Sequence, residues 1–318
     1  MKNKKIEVVA FGGGTGLSQL LKGLKTIDDF SITAVVTMAD DGGSSGRLRK
    51  SMGIPPPGDL RNCLISLSSL DPLLKEVLQY RFQEAELEGH SFGNLFLAVL
   101  TRITGNFQEA INEAHRLLQV KGRVLPSILN KATLEALHED GSKTTGQARI
   151  TIADHRIKSI RLLPNPIANP EVVKAVKSAD LILFGPGSLY TSVLVNLIPE
   201  KILESVVKSC AQKVYICNPM TQPGETNGFS VEDHVRAFDE ICQKRIINTL
   251  IVNNSQIRPS VLKKYRLTGS MPVEVLNMKR LRQEYKVICA DLIEADQAIR
   301  HDAIKLAGIL LEIAKDGC

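Results

Sequence analysis

Residues 8–24 read VVAFGGGTGLSQLLKGL: an apolar run, three consecutive glycines, then leucines at helical spacing. A strand that ends in glycines and passes at once into a helix exposes bare backbone N–H groups, and the helix amino terminus adds a dipole that favours an anion. The glycines keep side chains away from that point. Gly12, Gly13, Gly14, Thr15 and Gly16 are therefore candidate phosphate ligands. The dinucleotide fingerprint G-x-G-x-x-G is only partly met, because Gly12 and Gly14 fit and Leu17 takes the third glycine position. The P-loop pattern GxxxxGKS/T is absent.

Outward from this stretch, strand and helix signals alternate. IEVVAF (6–11), SITAVVTMA (31–39), ADLILFG (179–185), KVYICN (213–218), NTLIVNN (248–254) and EYKVICADL (284–292) lack the polar alternation of half-exposed strands. Such runs suit strands covered on both faces, so the expected fold is α/β: a Rossmann-like three-layer α/β/α sandwich on a mainly parallel sheet. Residues 70–118 read as helices. From 121 the pattern changes, and GQARITIADHRIKSIRLL (146–163) alternates like an exposed hairpin around ADHR, which predicts a small β-rich insertion. The proline-rich PNPIANP (164–170) returns the chain to α/β patterning, and ADQAIRHDAIKLAGILLEIAKD (295–316) reads as a terminal amphipathic helix. The chain is thus expected to be one domain over 1–318, with a first nucleotide-binding half at 1–120, the insertion at 121–170 and a second α/β half at 171–318.

Composition narrows the function. The 318 residues are 43% hydrophobic and 23% charged, ordinary values for a globular protein. A net charge of +6 comes from scattered basic residues, and with no Trp and 4% aromatics the stacking platforms of a nucleic-acid binder are missing. A modest positive balance suits an anionic small ligand equally well. Cys63, Cys210, Cys217, Cys242, Cys289 and Cys318 have no CxxC spacing and suggest reduced thiols in a cytoplasmic protein. No run approaches the roughly eighteen apolar residues of a membrane span.

Further loops repeat the anion-binding logic. In TMADDGGSSGRLR (37–49), Asp40 and Asp41 are placed either to hold a ribose hydroxyl or to hold Mg²⁺ beside a diphosphate. Gly43, Ser44 and Ser45 can form an anion nest, and Arg47 offers a guanidinium fork. In GIPPPGDLRNCL (53–64), Asp59 either caps the next helix or contacts ligand, and Arg61 in the first turn is a poor place for a cation unless it meets an anion. GHSFGNL (89–95) places His90 and Asn94 on the first turns of an apolar helix, where they pair internally or face a ligand. GPGSLYTS (185–192) repeats the opening loop through Gly185, Gly187 and Ser188, and NPMTQPGET (218–226) adds Asn218, Thr221 and Glu225. No G-x-S-x-G elbow, HExxH helix or spaced Cys/His cluster is present.

These motifs, in this order and over nearly the whole chain, resemble the YvcK/CofD family, and the GGSSGRLR continuation after the paired aspartates is similar to its bacterial YvcK branch. The resemblance implies a regulatory factor that binds UDP-N-acetylglucosamine or a similar nucleotide sugar and supports cell shape during gluconeogenic growth. It also implies that Tyr265 and Arg300 help bind the nucleotide sugar, although KKYR reads as an ordinary exposed stretch and Arg300, His301 and Asp302 can form a local ion pair. The CofD branch implies a different activity, transfer of a phospholactyl group from a guanosine-diphosphate donor to a deazaflavin alcohol. A nicotinamide dehydrogenase and a tubulin-like GTPase are weaker alternatives, because no proton-transfer residue is evident for the first and Ser18 replaces a further glycine for the second. The expected ligand is a nucleotide sugar with no required cofactor, and Asp40 and Asp41 can hold an optional Mg²⁺ on the diphosphate. The expected partners are a second copy in a homodimer and a cell-envelope synthesis protein.

Overall fold

The computed structural model describes residues 4–294 and 299–316. Its strands are β1 (Ile6–Gly12), β2 (Phe30–Val36), β3 (Arg123–Pro126), β4 (Thr133–His138), β5 (Lys143–Thr145), β6 (Ile157–Leu163), β7 (Leu181–Phe184), β8 (Gln212–Ile216), β9 (Thr249–Asn253), β10 (Lys286–Ala290), β11 (Ile293–Glu294) and β12 (Arg300–His301). The helices are α1 (Gly14–Leu24), α2 (Gly43–Met52), α3 (Gly58–Leu67), α4 (Pro72–Gln79), α5 (Phe92–Thr104), α6 (Phe107–Leu117) and α7 (Gln147–Ile150) in the first half of the chain. They continue with α8 (Pro170–Ser178), α9 (Glu200–Lys208), α10 (Val231–Cys242), α11 (Pro259–Arg266), α12 (Met278–Glu284) and α13 (Ala303–Asp316).

Seven strands make one sheet in the order β10-β9-β8-β7-β1-β2-β3, and every neighbouring pair runs parallel. Successive strand residues point to opposite faces, yet Val8, Val9, Ala10 and Phe11 are all buried, so helices cover both sides as the apolar runs predict. From β1 the chain builds outward through β2 to β3, and from β7 it builds the other way through β8 and β9 to β10. The reversal between β1 and β7 is a topological switch point, and such a point opens a crevice at the carboxyl ends of the strands.

Two local expectations are corrected. Arg123–Pro126, read as the start of the β-rich insertion, pairs with β2 and completes the central sheet. The predicted hairpin around ADHR does not form: residues 147–150 turn into α7, and β6 pairs with β4, which also carries β5, in a three-stranded antiparallel sheet. Gly146, with φ of 101°, turns the chain there, and Asp41 Oδ1 accepts a hydrogen bond from the Ala148 N–H at 2.9 Å. The terminal helix begins at Ala303, where Asp302 accepts from the N–H groups of Ile304 and Lys305, both at 3.0 Å. Arg300 and His301 precede it in β12, paired with β11, while residues 295–298 and Cys318 lie outside the described residues. Cys63, Cys217 and Cys242 are free thiols in the core. Among the described residues no helix is long and apolar enough to cross a membrane.

Helix α1 packs so closely on the start of α13 that a Cβ at Gly23 would overlap the Ala303 carbonyl. Gly308, within α13, has nothing within 4 Å of where its Cβ would stand. Gly23→Ala is therefore expected to lower stability by about 1–3 kcal/mol, as overpacking does, and Gly308→Ala to raise it by about 0.5–1 kcal/mol through helix propensity. Urea unfolding midpoints of the two variants should move in opposite directions.

Candidate functional site

A cleft of about 410 Å³ opens at the β1/β7 switch point. Three strand-end loops line it: Gly13–Gly16 after β1, Pro186–Ser188 after β7, and Asn218–Pro223 after β8. Tyr265 of α11 and Arg300 of β12 complete the wall. Gly13, Gly14, Thr15, Gly16, Gly187, Ser188, Asn218, Thr221, Tyr265 and Arg300 are thus brought to one place, while Gly12, the last residue of β1, and Gly185, just past β7, are not among the residues that line it.

The first loop works by lacking side chains. Gly14 takes φ of 59°, a left-handed conformation that glycine adopts without strain. A Cβ at Gly16 would overlap the Pro186 carbonyl, so only glycine lets the two loops meet backbone to backbone. The N–H groups of Thr15 and Gly16 lie in the first turn of α1, where no intrahelical carbonyl can accept from them. Asn218 fixes the opposite loop: its Nδ2 donates to the Gly187 carbonyl at 2.7 Å, and its Oδ1 accepts from the Gly187 N–H at 3.2 Å. Ser188 Oγ accepts from Gln222 Nε2 at 3.0 Å, and Thr221 is tied to Met271 through both its N–H and its hydroxyl. Tyr265 Oη accepts from the Ile299 N–H at 2.9 Å and so anchors the segment that carries Arg300.

Sequence reasoning missed His301, which is 7% exposed and lines the same cleft. Burial pushes its pKa down to about 4, so the ring is neutral at physiological pH, and it donates to the Cys217 carbonyl. Its Nε2 is buried with no partner among the described residues, a lone-pair acceptor in the cleft wall. Gln19 and Ser192 also line the cleft; Gln19 lies one helical turn beyond Thr15, a position the helix period makes legible.

Behind the first loop lies a second group. Asp59 does not cap α3, whose cap position is Pro57; its carboxylate instead accepts from the Gly14 N–H. Burial, reinforced by Asp40, pushes its pKa up to about 6. Asp40 Oδ1 accepts from the Gly42 N–H at 3.0 Å, while Asp41 turns away toward Ala148. Ser44, at the start of α2, joins the pair predicted on α5: Asn94 Nδ2 donates to Ser44 Oγ at 3.0 Å, and Ser44 Oγ lies 3.0 Å from His90 Nδ1. His90 itself lies just before α5 rather than on its first turn. Ser45 Oγ accepts from the Gly58 N–H at 3.2 Å.

Three predicted residues point elsewhere. Arg47 donates to the Glu88 carbonyl, and Arg61 donates to Ser91 and, at 2.6 Å, to Asn62. Glu225 is 3% exposed and accepts from the Tyr190 N–H, the Thr191 N–H and the Thr191 hydroxyl, so its carboxylate holds the helical turn after Ser188.

The sequence profile of the 2-phospho-L-lactate transferase CofD matches residues 8–293. The chain belongs to the CofD family. It is 45% identical to a putative gluconeogenesis factor of Thermotoga maritima over 98% of this chain and 100% of that one. It is 44% identical to the gluconeogenesis factor of Bacillus subtilis, over 98% and 99% of the two chains. A crystal structure of a UPF0052-family protein from Bacillus halodurans superposes with a TM-score of 0.93 at 45% identity, covering 96% of this chain and all of that one. The CofD-family chain described here therefore shares its whole architecture with the branch that its loops resemble.

For Asp59, a folded-state pKa raised from 3.8 to about 6 means that the protonated carboxyl contributes stability fully below pH 3.8, and that this contribution is lost as pH rises through 6. Asp59→Asn keeps the acceptor for Gly14 and cannot ionise. Its unfolding free energy is expected to exceed wild type by about 1–3 kcal/mol at pH 7.5 and to match it near pH 3.5, checked by urea titration at both pH values.

Proposed function

We propose that this protein binds a nucleotide sugar, with UDP-N-acetylglucosamine as the type ligand, in the switch-point cleft, and that it acts as a cytoplasmic regulatory factor for cell shape during gluconeogenic growth. One observation carries the reading: the free amides of Thr15 and Gly16, the Gly187–Ser188 loop and Arg300 face one hollow large enough for a diphosphate and its substituents. The full-length relatives carry the name gluconeogenesis factor, which supports the physiological half. The amides take the diphosphate, Arg300 adds a cation, and Asn218 keeps the opposite loop from yielding. Bound ligand would fasten β12 and α11 to the first loop, and that altered surface would be read by a cell-envelope synthesis protein or across a homodimer.

Mg²⁺ on the diphosphate fits this chain in a defined way. Asp40 and Asp59 lie close enough for Asp40 to raise the Asp59 pKa, whereas Asp41 is committed to Ala148. Among the described residues no cluster of three or more His, Cys, Asp or Glu side chains could hold a metal, so phosphate oxygens and water would supply the other ligands. The ion would neutralise charge on the diphosphate.

A second reading, phospholactyl transfer to a deazaflavin alcohol, draws on the match to the transferase profile. Incubation with the guanosine-diphosphate donor and the deazaflavin acceptor should leave both unchanged; product formation would establish transfer instead.

Isothermal titration tests the binding reading. UDP-N-acetylglucosamine is expected to bind more tightly than GDP or NAD, and Arg300→Ala to weaken it about tenfold or more, the scale of a lost charge-assisted contact. His301→Asn, which keeps a donor toward Cys217 and removes the Nε2 acceptor, is expected to weaken it about five- to tenfold. Equal affinity for all three nucleotides would refute the reading.

A further inference from the structure

A cleft of about 250 Å³ lies outside the switch point and shares no lining residue with the nucleotide cleft. Pro55, Pro56 and Pro126 form stiff walls that offer no N–H donor, and Phe107 of α6 adds an apolar face. Two polar side chains in this cleft are held in place with one atom unused. Arg49 Nη2 donates to the Ala132 carbonyl at 2.7 Å and to Thr133 Oγ1 at 3.1 Å, which fixes the guanidinium, while its Nη1 is buried with no acceptor. Gln108 Nε2 donates to Asn112 Oδ1 at 3.3 Å, and its Oε1 is buried with no donor. Lys131 stands exposed at the same cleft beside Gly53, and none of the ion pairs among the described residues involves Lys131 or Arg49.

A buried N–H without an acceptor costs about 1–3 kcal/mol, and folded proteins rarely leave one unmet. Here an orphaned donor, an orphaned acceptor and two cations without counter-charge share one apolar hollow. A single water could satisfy either orphan, but it would bring no counter-charge to Arg49 and Lys131. We infer that this cleft is a second ligand site, for a small organic anion whose carboxylate or phosphate meets Arg49 and Lys131, whose short carbon body lies against the prolines, and whose hydroxyl or N–H donates to Gln108 Oε1. Its volume falls below the range of pockets that take drug-sized ligands, so the ligand is smaller than a nucleotide. Arg49 lies on α2, whose opening turn carries Ser44 and Ser45, so an anion held there steadies the helix that Asn94 ties to α5 and that Ser45 ties to Gly58.

Thermal unfolding of the full chain with malate, citrate, 3-phosphoglycerate, glycerol 3-phosphate and inorganic phosphate, each at 10 mM, separates carboxylate from phosphate ligands. At least one hydroxylated anion is expected to raise the midpoint by about 3–8 °C, in wild type and in Arg300→Ala alike. Lys131→Met, which removes no hydrogen bond from the fold, should cut the affinity for that anion at least fivefold. Gln108→Glu places a carboxylate in the same cleft; it should abolish the response and raise the ligand-free midpoint by giving the cations an internal partner. The inference is overturned if no probe shifts wild type, or if the shift survives undiminished in both Lys131→Met and Gln108→Glu. A shift lost in Arg300→Ala but retained in Gln108→Glu belongs to the nucleotide cleft and also overturns it. Failure of nucleotide-sugar binding leaves this test intact, because the two clefts share no lining residue.

Discussion

The fold turns on one contact between main chains, where the first turn of α1 meets the Pro186–Gly187 peptide at the β1/β7 switch point. Adjacent parallel strands lie roughly 5 Å apart, so the loops that leave them must share a narrow space before their helices diverge. A Cβ at position 16 would occupy the place of the Pro186 carbonyl and drive the loops apart. With glycine there, N–H groups of the first loop face the same hollow as Ser188 and Arg300. Because Asn218 grips both ends of the Gly187 peptide, the far wall of that hollow is set before any ligand arrives.

Electrostatics then divides the cleft. On the β2 side, Asp59 takes up the Gly14 N–H from behind, which leaves Thr15 and Gly16 as the donors free to meet an anion. Asp40 lies near enough to reinforce the effect of burial, which raises the pKa of Asp59 to about 6. A divalent cation on Asp40 would reverse the sign of the field at that point. On the other side lies Arg300, carried by a two-residue strand and steadied through Ile299 by Tyr265. Arg300 therefore brings positive charge to one edge of the cleft, while Asp40 and Asp59 lie behind the first loop on the other side.

Six of the seven strands of the parallel sheet were legible because burial on both faces erases polar alternation. β3 was not: it is four residues long, ends in proline and sits at the sheet edge beside a stretch of real alternation, so period alone assigned it to the insertion. The false hairpin failed for a related reason, since alternation in QARITI says nothing of Asp41, a distant residue that accepts from Ala148 and holds the chain in a turn. The glycine loops were readable because their function lies in what they lack. Arg47, Arg61 and Glu225 show the opposite limit, since residue type and position identify a capable group while tertiary contacts decide where it points. His301 became visible only in three dimensions, because burial keeps its ring neutral and its one hydrogen bond goes to the carbonyl of Cys217, just past the end of another strand.

The same division between main chain and side chain explains how one family can hold both a transferase and factors named for gluconeogenesis. A phosphate cradle made of backbone N–H groups tolerates sequence change everywhere except at the glycines. The second loop is made of side chains that satisfy one another: Asn94 donates to Ser44, and Ser44 lies within hydrogen-bond distance of His90, which locks α2 to α5. Replacing those three residues would loosen the hold of α2 on α5 while leaving the glycine loops untouched. In this chain Ser44 is thus held between Asn94 and His90 by the scaffold itself. The carboxylates on the β2 side are engaged in the same way, since Asp59 accepts from the Gly14 N–H and Asp40 from the Gly42 N–H, each holding a loop in place.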